Sequence, residues 1–184
     1  MTDLAGQKPA YYAFAGTIDD AGVSRIAAAL NTAVNGGCDV VHLAMTSLGG
    51  YVAAGIYLYN HMRGMPLRIV TYNIGSVSSI AVAVFVGGDE RYCSPNYMFM
   101  IHPTAFPSLQ GMTWERLRST ADAALADDER TESILRERTR LPNKILKARR
   151  TQDVHITPPD AVTHGLVNRI AEFKVPHGFQ VFQI

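Results

Sequence analysis

The feature that most constrains this chain is a recurring unit in which an apolar strand, a glycine-containing turn and an apolar helix follow one another. Turns at residues 47–50 and 75–78 lead into helices, and Asp19 or Asp20 can cap an earlier helix that a Gly-Gly pair ends. Strands that alternate with helices predict a parallel sheet with right-handed crossovers. The predicted strands are residues 11–15, 40–45, 67–72, 97–101 and 166–173.

A long helical stretch interrupts this alternation at residues 112–141, which are rich in Glu, Arg, Ala and Leu. Thr113 or Ser108 can cap it, and Pro142 ends it. A helix of about 28 residues would be about 42 Å long, which exceeds the reach of a domain of this size. We therefore expect it to project from the domain or to pack on a neighbouring subunit. The alternative is a solvated surface helix stabilised by salt bridges.

The composition indicates a single soluble domain. The chain has 184 residues, 47% of them hydrophobic and 18% charged, which is enough to build a core and excludes disorder as the main state. A formal net charge of +1 gives no general attraction to nucleic acid or to an anionic membrane. The longest apolar run, residues 80–86, is too short to span a bilayer, and residues 1–12 contain no secretory signal, so we expect a cytoplasmic location.

The two cysteines, Cys38 and Cys93, form no C-x-x-C pair, and no group of His and Cys residues has the spacing of a zinc site. We interpret them as free thiols in a reducing compartment. No metal and no cofactor is expected.

Three strand ends carry residues that are suited to chemistry, because ligands bind at the carboxyl ends of strands in open α/β sheets. In the turn at residues 47–50, two adjacent glycines allow backbone N–H groups to face a ligand. Ser79 begins a helix, where the helix dipole favours a neighbouring oxyanion, although capping alone also explains a serine there. His102 ends an apolar strand, and a structural role is the alternative for it.

A serine nucleophile needs a base, and the base needs a carboxylate that orients it. Asp153 lies in a polar connection before Ile156, whereas Asp160 lies at a helix start where capping explains it. The residues alone therefore allow an order of Ser, His and Asp and leave each member open.

Taken together, several segments resemble the proteolytic subunit of Clp protease over about residues 11–170. The S-P-G-G of that family reads S-L-G-G at residues 47–50, and its G-x-x-x-S reads G-S-V-S-S at residues 75–79. Its C-x-P-N and M-I-H-x-P segments read C-S-P-N at residues 93–96 and M-I-H-P at residues 100–103. Its catalytic Asp, ahead of an A-V-x-x-G-L-V segment, falls on Asp153.

The resemblance implies a crotonase-like α/β fold of repeated β-β-α units, with a mostly parallel sheet and a long projecting handle helix. It implies one peptidase domain over residues 1–184, with a head at about 11–109 and 151–175 and a handle at about 110–150. It also implies a serine endopeptidase that cleaves peptides or unfolded polypeptides inside the chamber of an oligomeric ring.

The resemblance further assigns roles to individual residues. Ser79 would be the nucleophile, His102 the base and Asp153 the residue that orients the base. The N–H groups of Gly50 and Ile80 would form the oxyanion hole. The residues expected to bind an extended substrate are Tyr51, Val52, Thr104, Ala105 and Phe106.

The expected assembly is a homo-oligomer, most simply a heptameric ring, with stacking on a second ring left open. A hexameric AAA+ ATPase is the partner that the family suggests. The sequence departs from the family at three places. The segment before Tyr11 is short where the family has pore loops. Thr151 and Gln152 stand where the family has a charged pair between rings, and Pro103 and Pro107 lie beside the site. These departures leave ATPase docking and ring stacking open.

Two other functions stay open. A non-catalytic or regulatory ring subunit would keep the same fold without hydrolysing peptides. An acyl-CoA hydratase or isomerase would also share the fold, but the sequence has no clear feature of a CoA site. The occupied Ser, His and Asp positions favour the peptidase.

Overall fold

A computed structural model describes residues 8–106 and 110–184. Pro107 and Ser108 lie outside the described residues. The elements in chain order are β1 (Pro9–Ala15), α1 (Asp20–Asn35), β2 (Val40–Ser47), α2 (Val52–Gly64), β3 (Arg68–Ser78), α3 (Ile80–Phe85), β4 (Glu90–Cys93), β5 (Met98–Ile101), α4 (Trp114–Arg138), α5 (Asn143–Ala148), β6 (Val154–Ile156), α6 (Pro158–Thr163), β7 (Arg169–Ile170) and β8 (Val181–Gln183).

The strands form one mixed sheet in the order β6-β5-β3-β2-β1-β8, with β4 pairing with β3 and β7. The pairs are parallel except β5 with β6, which is antiparallel. On one side, the long strand β3 pairs with two strands: its first part pairs with β4 and its last residues pair with β5. The predicted mixed α/β fold with a mostly parallel sheet is confirmed.

The first helix shows how local sequence sets these elements. The Asp19 side chain accepts a hydrogen bond of 2.8 Å from the Gly22 N–H, so Asp19 rather than Asp20 is the cap. Apolar positions at helical spacing then face the sheet and are fully buried, among them Ile26 and Leu30. Strand β2 is buried on both faces over most of its length, as a near-continuous apolar run predicts.

The predicted turn at residues 75–78 is wrong, because β3 continues through it to Ser78. The Gly75 N–H donates to Asn73 Oδ1 and the Ser76 N–H to Thr46 Oγ1, so side chains satisfy the backbone where the register shifts. The irregularity therefore stays inside the strand, and the chain turns only at Ser79.

The predicted strand at residues 166–173 is reduced to the two residues of β7, since only the short edge of β4 is available for it to pair with. The long helix is confirmed but ends at Arg138, and Pro142 separates it from α5. Thr113 caps it by accepting from the Arg116 N–H at 3.3 Å. Apart from Ala124, its buried residues lie in the C-terminal half, so the N-terminal half extends away from the core.

Arg91, which is partly buried, joins the ends of three helices. Its guanidinium donates to backbone carbonyls at the ends of α3 and α4 and just after α6, namely those of Val86, Gly88, Arg138, Gly165 and Leu166. Burial, together with the nearby Arg138 and Arg63 charges, lowers the pKa of Arg91 to about 10, so it remains charged at neutral pH. Carbonyls at helix C-termini carry partial negative charge, which makes them suitable partners for a partly buried cation.

We expect Arg91→Met to lower the free energy of unfolding by about 2–4 kcal/mol, because the carbonyls of Arg138, Gly165 and Leu166 lose the guanidinium donor at once, whereas those of Val86 and Gly88 keep a bond from Arg138. Urea unfolding of the purified chain measures this. The matched control is Arg63→Met, which breaks a 2.6 Å ion pair with Asp89 that is more exposed than the Arg91 bonds and should cost less than about 1 kcal/mol. Equal losses in the two variants would contradict this role for Arg91.

Candidate active site

Ser79 sits on a sharp turn between β3 and α3. Its φ of 58° and ψ of −134° make it the non-glycine residue with positive φ in the described part of the chain. The Ser79 N–H donates to Met100 O at 2.8 Å, and the Ser79 carbonyl accepts from the Val82 N–H at 3.1 Å. Strand β5 and helix α3 therefore both fix the backbone of this turn. A strained conformation of this kind costs about 1–3 kcal/mol and clusters at functional sites.

Gly49 makes room for the Ser79 side chain. A Cβ placed on Gly49 would lie 2.6 Å from Ser79 Cβ and 3.1 Å from Ser79 Oγ, and the φ of Gly49 is 105°. The Gly49 carbonyl accepts from the Ile18 N–H at 2.8 Å, which fixes this turn against the loop before α1. Glycine is therefore required at this position both by its conformation and by the closeness of the serine.

Gly50 and Ile80, the two residues expected to form the oxyanion hole, lie on the wall of the same cavity as Ser79. Ile80 is the first residue of α3, so its N–H has no partner inside the helix. Gly50 forms an isolated bridge with Ile18, and a Cβ on Gly50 would lie 2.3 Å from Ile18 O. The two backbone N–H groups thus come from two strand-to-helix turns, before α2 and at the start of α3, that share one cavity wall.

His102 and Asp153 are brought together by the antiparallel pairing of β5 and β6. The last pair of that ladder is Ile101 with Val154, and His102 and Asp153 are the next residues beyond it. Opposite residues in an antiparallel pair project on the same face of the sheet. In the described part of the chain no hydrogen bond joins Ser79 to His102 or His102 to Asp153. Ser79 and His102 therefore line one cavity, and Asp153 follows the strand that pairs with β5, without hydrogen bonds that join the three.

Asp160, the other carboxylate considered from the sequence, is engaged elsewhere. Its side chain accepts a 2.6 Å hydrogen bond from Thr157 Oγ1, and its N–H donates to the same oxygen at 3.4 Å. Thr157 and Asp160 thus form the N-terminal cap of α6.

A cavity of about 390 Å³ contains most of the predicted site. Asp153 and Phe106 are not part of its lining, and Phe106 instead faces a separate surface pocket beside Trp114. The cavity is lined by Leu48, Gly50, Tyr51, Val52, Ser79, Ile80, Ile101, His102, Pro103, Thr104, Ala105, Asp127, Thr131, Leu135 and Arg149.

Part of this lining, from α4 and from the residue after α5, was not predicted from the sequence. Thr131, Leu135 and Arg149 are buried, and Asp127 is partly buried. The i, i+4 spacing of Asp127, Thr131 and Leu135 places them on one helix face, which was the available signal. Nothing local indicates which face meets the site, because the helix crosses it from a distant part of the chain.

The chain as a whole matches a known protein family. The family model described as Clp protease matches residues 11–174. The chain belongs to the Clp protease family. Among solved structures, a point mutant of ClpP1 from Listeria monocytogenes is similar, with a TM-score of 0.78 and 19% sequence identity. The match covers 89% of this chain and 92% of that chain, so the Clp protease fold extends over nearly the whole domain.

The long helix α4 is present in this Clp protease domain as expected from the sequence. None of the helices in residues 8–106 and 110–184 is long and apolar enough to cross a membrane. Within the same residues, no cluster of three or more His, Cys, Asp or Glu side chains is arranged to hold a metal ion.

Proposed function

We propose that this chain is the catalytic subunit of a serine endopeptidase that acts on peptides or unfolded polypeptides. The observation that carries the proposal is the strained Ser79 turn, which opens into the same cavity as His102. A serine at the start of a helix, beside a histidine and backbone donors, has the composition of an acyl-transfer site.

In the proposed reaction, Ser79 Oγ attacks the carbonyl carbon of the scissile peptide bond while the His102 imidazole takes its proton. The tetrahedral oxyanion is stabilised by the N–H groups of Gly50 and Ile80, each contributing roughly 3–4 kcal/mol by analogy with other oxyanion-hole donors. His102 then donates the proton to the leaving amine, and Asp153 stabilises the imidazolium. Water repeats the sequence on the acyl-enzyme and releases the second product.

The substrate would lie extended between the segment after Gly50 and the segment after His102. On the first side, the Tyr51 N–H already donates to Ile18 O at 2.8 Å. On the second side, Pro103 has no N–H, and the Thr104 N–H donates to Asp128 at 2.9 Å. The second side therefore offers a substrate mainly carbonyl acceptors, together with the Ala105 N–H.

One observation favours a second candidate, a non-catalytic or regulatory ring subunit. Ser79, His102 and Asp153 are not joined by hydrogen bonds, and Asp153 is exposed. In resting enzymes, however, catalytic hydrogen bonds are often long and tighten only when substrate binds. The two candidates differ in a direct observable, which is hydrolysis.

The test is hydrolysis of a short fluorogenic peptide and of unfolded casein by the purified full chain. Time-dependent release of new N-termini from either substrate supports the peptidase. Binding of the substrates without any cleavage, in a chain that is folded and assembled, would support the regulatory subunit instead.

We further propose that the chain works as a ring-shaped homo-oligomer, and we expect a particle several times heavier than the 20.1 kDa chain in native mass spectrometry. The N-terminal half of α4, which extends away from the core, carries apolar side chains that a second subunit can cover, since Trp114 is 71% and Leu125 64% exposed. Stable contacts between subunits would bury more than about 1,000 Å² in total. A stable monomer at micromolar concentration in analytical ultracentrifugation would contradict this expectation.

A further inference from the structure

Asp128 on α4 collects three hydrogen bonds at a single oxygen. Asp128 Oδ1 accepts from the Thr104 N–H at 2.9 Å, from Thr104 Oγ1 at 3.0 Å and from Arg149 Nη2 at 3.0 Å. Thr104 lies two residues after His102, so this carboxylate fixes the segment that carries the proposed base. Charge-assisted hydrogen bonds of this kind are about twice as strong as neutral ones.

Arg149, at the end of α5, is only 2% exposed, and its side chain also contacts Asp128 and the segment after His102. Besides its ion pair with Asp128, its Nη2 donates to His102 O at 3.5 Å, and its Nη1 lies 3.8 Å from Glu132 Oε2. Burial lowers the pKa of the Arg149 guanidinium, while Asp128 and Glu132 oppose this shift. A buried arginine held by two carboxylates remains charged at neutral pH.

The contacts of Arg149 span the two segments that hold the proposed triad. One is the chain from His102 to Thr104 that leaves β5, and the other is the turn from α5 to β6 that ends at Asp153. Arg149 is part of the second segment and hydrogen-bonds to the first. Beyond the short β5–β6 ladder, this guanidinium and Asp128 are the polar link that sets the spacing of the two segments.

We propose that Arg149 and Asp128 are positioning residues that hold His102 in register with Ser79 and Asp153. This inference rests on the proposed peptidase function. Arg149 acts through the His102 backbone, because its Nη2 donates to His102 O and its side chain, although it lines the cavity, is only 2% exposed. A displacement of about 1 Å in a catalytic group can cost 10²-fold in rate, so this link controls turnover and not substrate binding.

The test compares steady-state hydrolysis of the fluorogenic peptide by Arg149→Met, Arg149→Lys and Asp128→Asn with that of the unsubstituted chain. Arg149→Met keeps the length of the side chain but removes its charge and donors, and we expect kcat to fall about 10–100-fold. KM should change by less than about twofold, because ground-state binding is untouched. Arg149→Lys, which keeps the charge but has one donor group, should recover part of kcat.

The matched control is Arg136→Met, because Arg136 belongs to the same carboxylate cluster through two bonds to Glu132 but does not contact the segment after His102. Its kcat should stay within about twofold. The Arg149→Met, Asp128→Asn double variant should lose little more than the more impaired single variant, since both substitutions break one unit. Should Arg149→Met fail to fold, Asp128→Asn and Arg149→Lys carry the same comparison.

A second readout does not depend on activity. Hydrogen exchange in the peptide that contains Thr104 should become faster in Arg149→Met and Asp128→Asn but not in Arg136→Met, because the Thr104 N–H is held by Asp128. If the unsubstituted chain hydrolyses nothing, the proposed function fails, and the exchange rates alone still decide whether this link fixes the segment. An active chain whose Arg149→Met variant keeps its kcat, or changes only in KM, overturns the inference.

Discussion

Replacing Ser79 with alanine is expected to lower kcat/KM for peptide hydrolysis by at least about 10³-fold, since the nucleophile is removed while the oxyanion donors remain. The urea midpoint and the particle mass should not change, because Ser79 is held through its backbone N–H and carbonyl and not through its side chain. Ser76→Ala is the matched control and should stay within about twofold of the unsubstituted chain.

Ser76 is a suitable control because it lies in the same motif but inside the paired part of β3, opposite Met98. Its N–H and carbonyl bond to the Thr46 hydroxyl and do not involve its own side chain. Full activity in Ser79→Ala, or loss of activity in Ser76→Ala alone, would show that the nucleophile has been placed on the wrong serine.

The second large effect is expected from Gly49→Ala, for which we predict a loss of about 10²-fold in kcat/KM. The added methyl group would sit 2.6 Å from Ser79 Cβ, closer than such carbon atoms approach, so the serine must move. The φ of 105° at Gly49 adds backbone strain to this clash.

Gly37→Ala is the control that separates the effect of backbone strain from the effect of the clash between a Cβ on Gly49 and Ser79. Gly37 also has positive φ, at 68°, but a Cβ there would meet nothing within 4 Å. It should cost about 1–2 kcal/mol of stability and leave kcat/KM unchanged. Similar activity losses in both variants would mean that the contact between Gly49 and Ser79 is not what matters.

Much of the fold could be predicted because local signals and long-range packing agree. Apolar positions at helical spacing, an acidic cap and a glycine pair define α1, and the run at residues 40–45 defines β2. The turn predicted at residues 75–78 failed because Asn73 and Thr46 supply side-chain partners that let β3 continue. A glycine in sequence does not reveal such partners.

Strand β8 could not be predicted, for a different reason. Its residues Val181–Gln183 are exposed, and the strand exists because it pairs with β1 at the edge of the sheet. No period-2 burial pattern distinguishes it, since the edge supplies backbone partners rather than a core face. The same dependence on a distant partner limits β7 to two residues.

In the proposed site, residue types at strand ends indicated Ser79 and His102 as candidates, and local sequence left Asp153 and Asp160 both open. The ladder of β5 and β6 sets Asp153 beside His102, while Thr157 engages Asp160. Arg149 could not be found at all from local pattern, because it is a charged residue in a helical segment that becomes buried only when α4 packs over it. Buried charge is a property of the assembled domain.

Covalent labelling with a fluorophosphonate, followed by peptide mapping, tests most directly whether Ser79 is an activated nucleophile. The reagent phosphonylates a serine hydroxyl efficiently only when a base and an oxyanion site act on it. We expect one phosphonyl adduct per chain, on Ser79, and none in Ser79→Ala. An unlabelled chain, or an adduct carried by another serine, would contradict the assignment of Ser79 as the nucleophile.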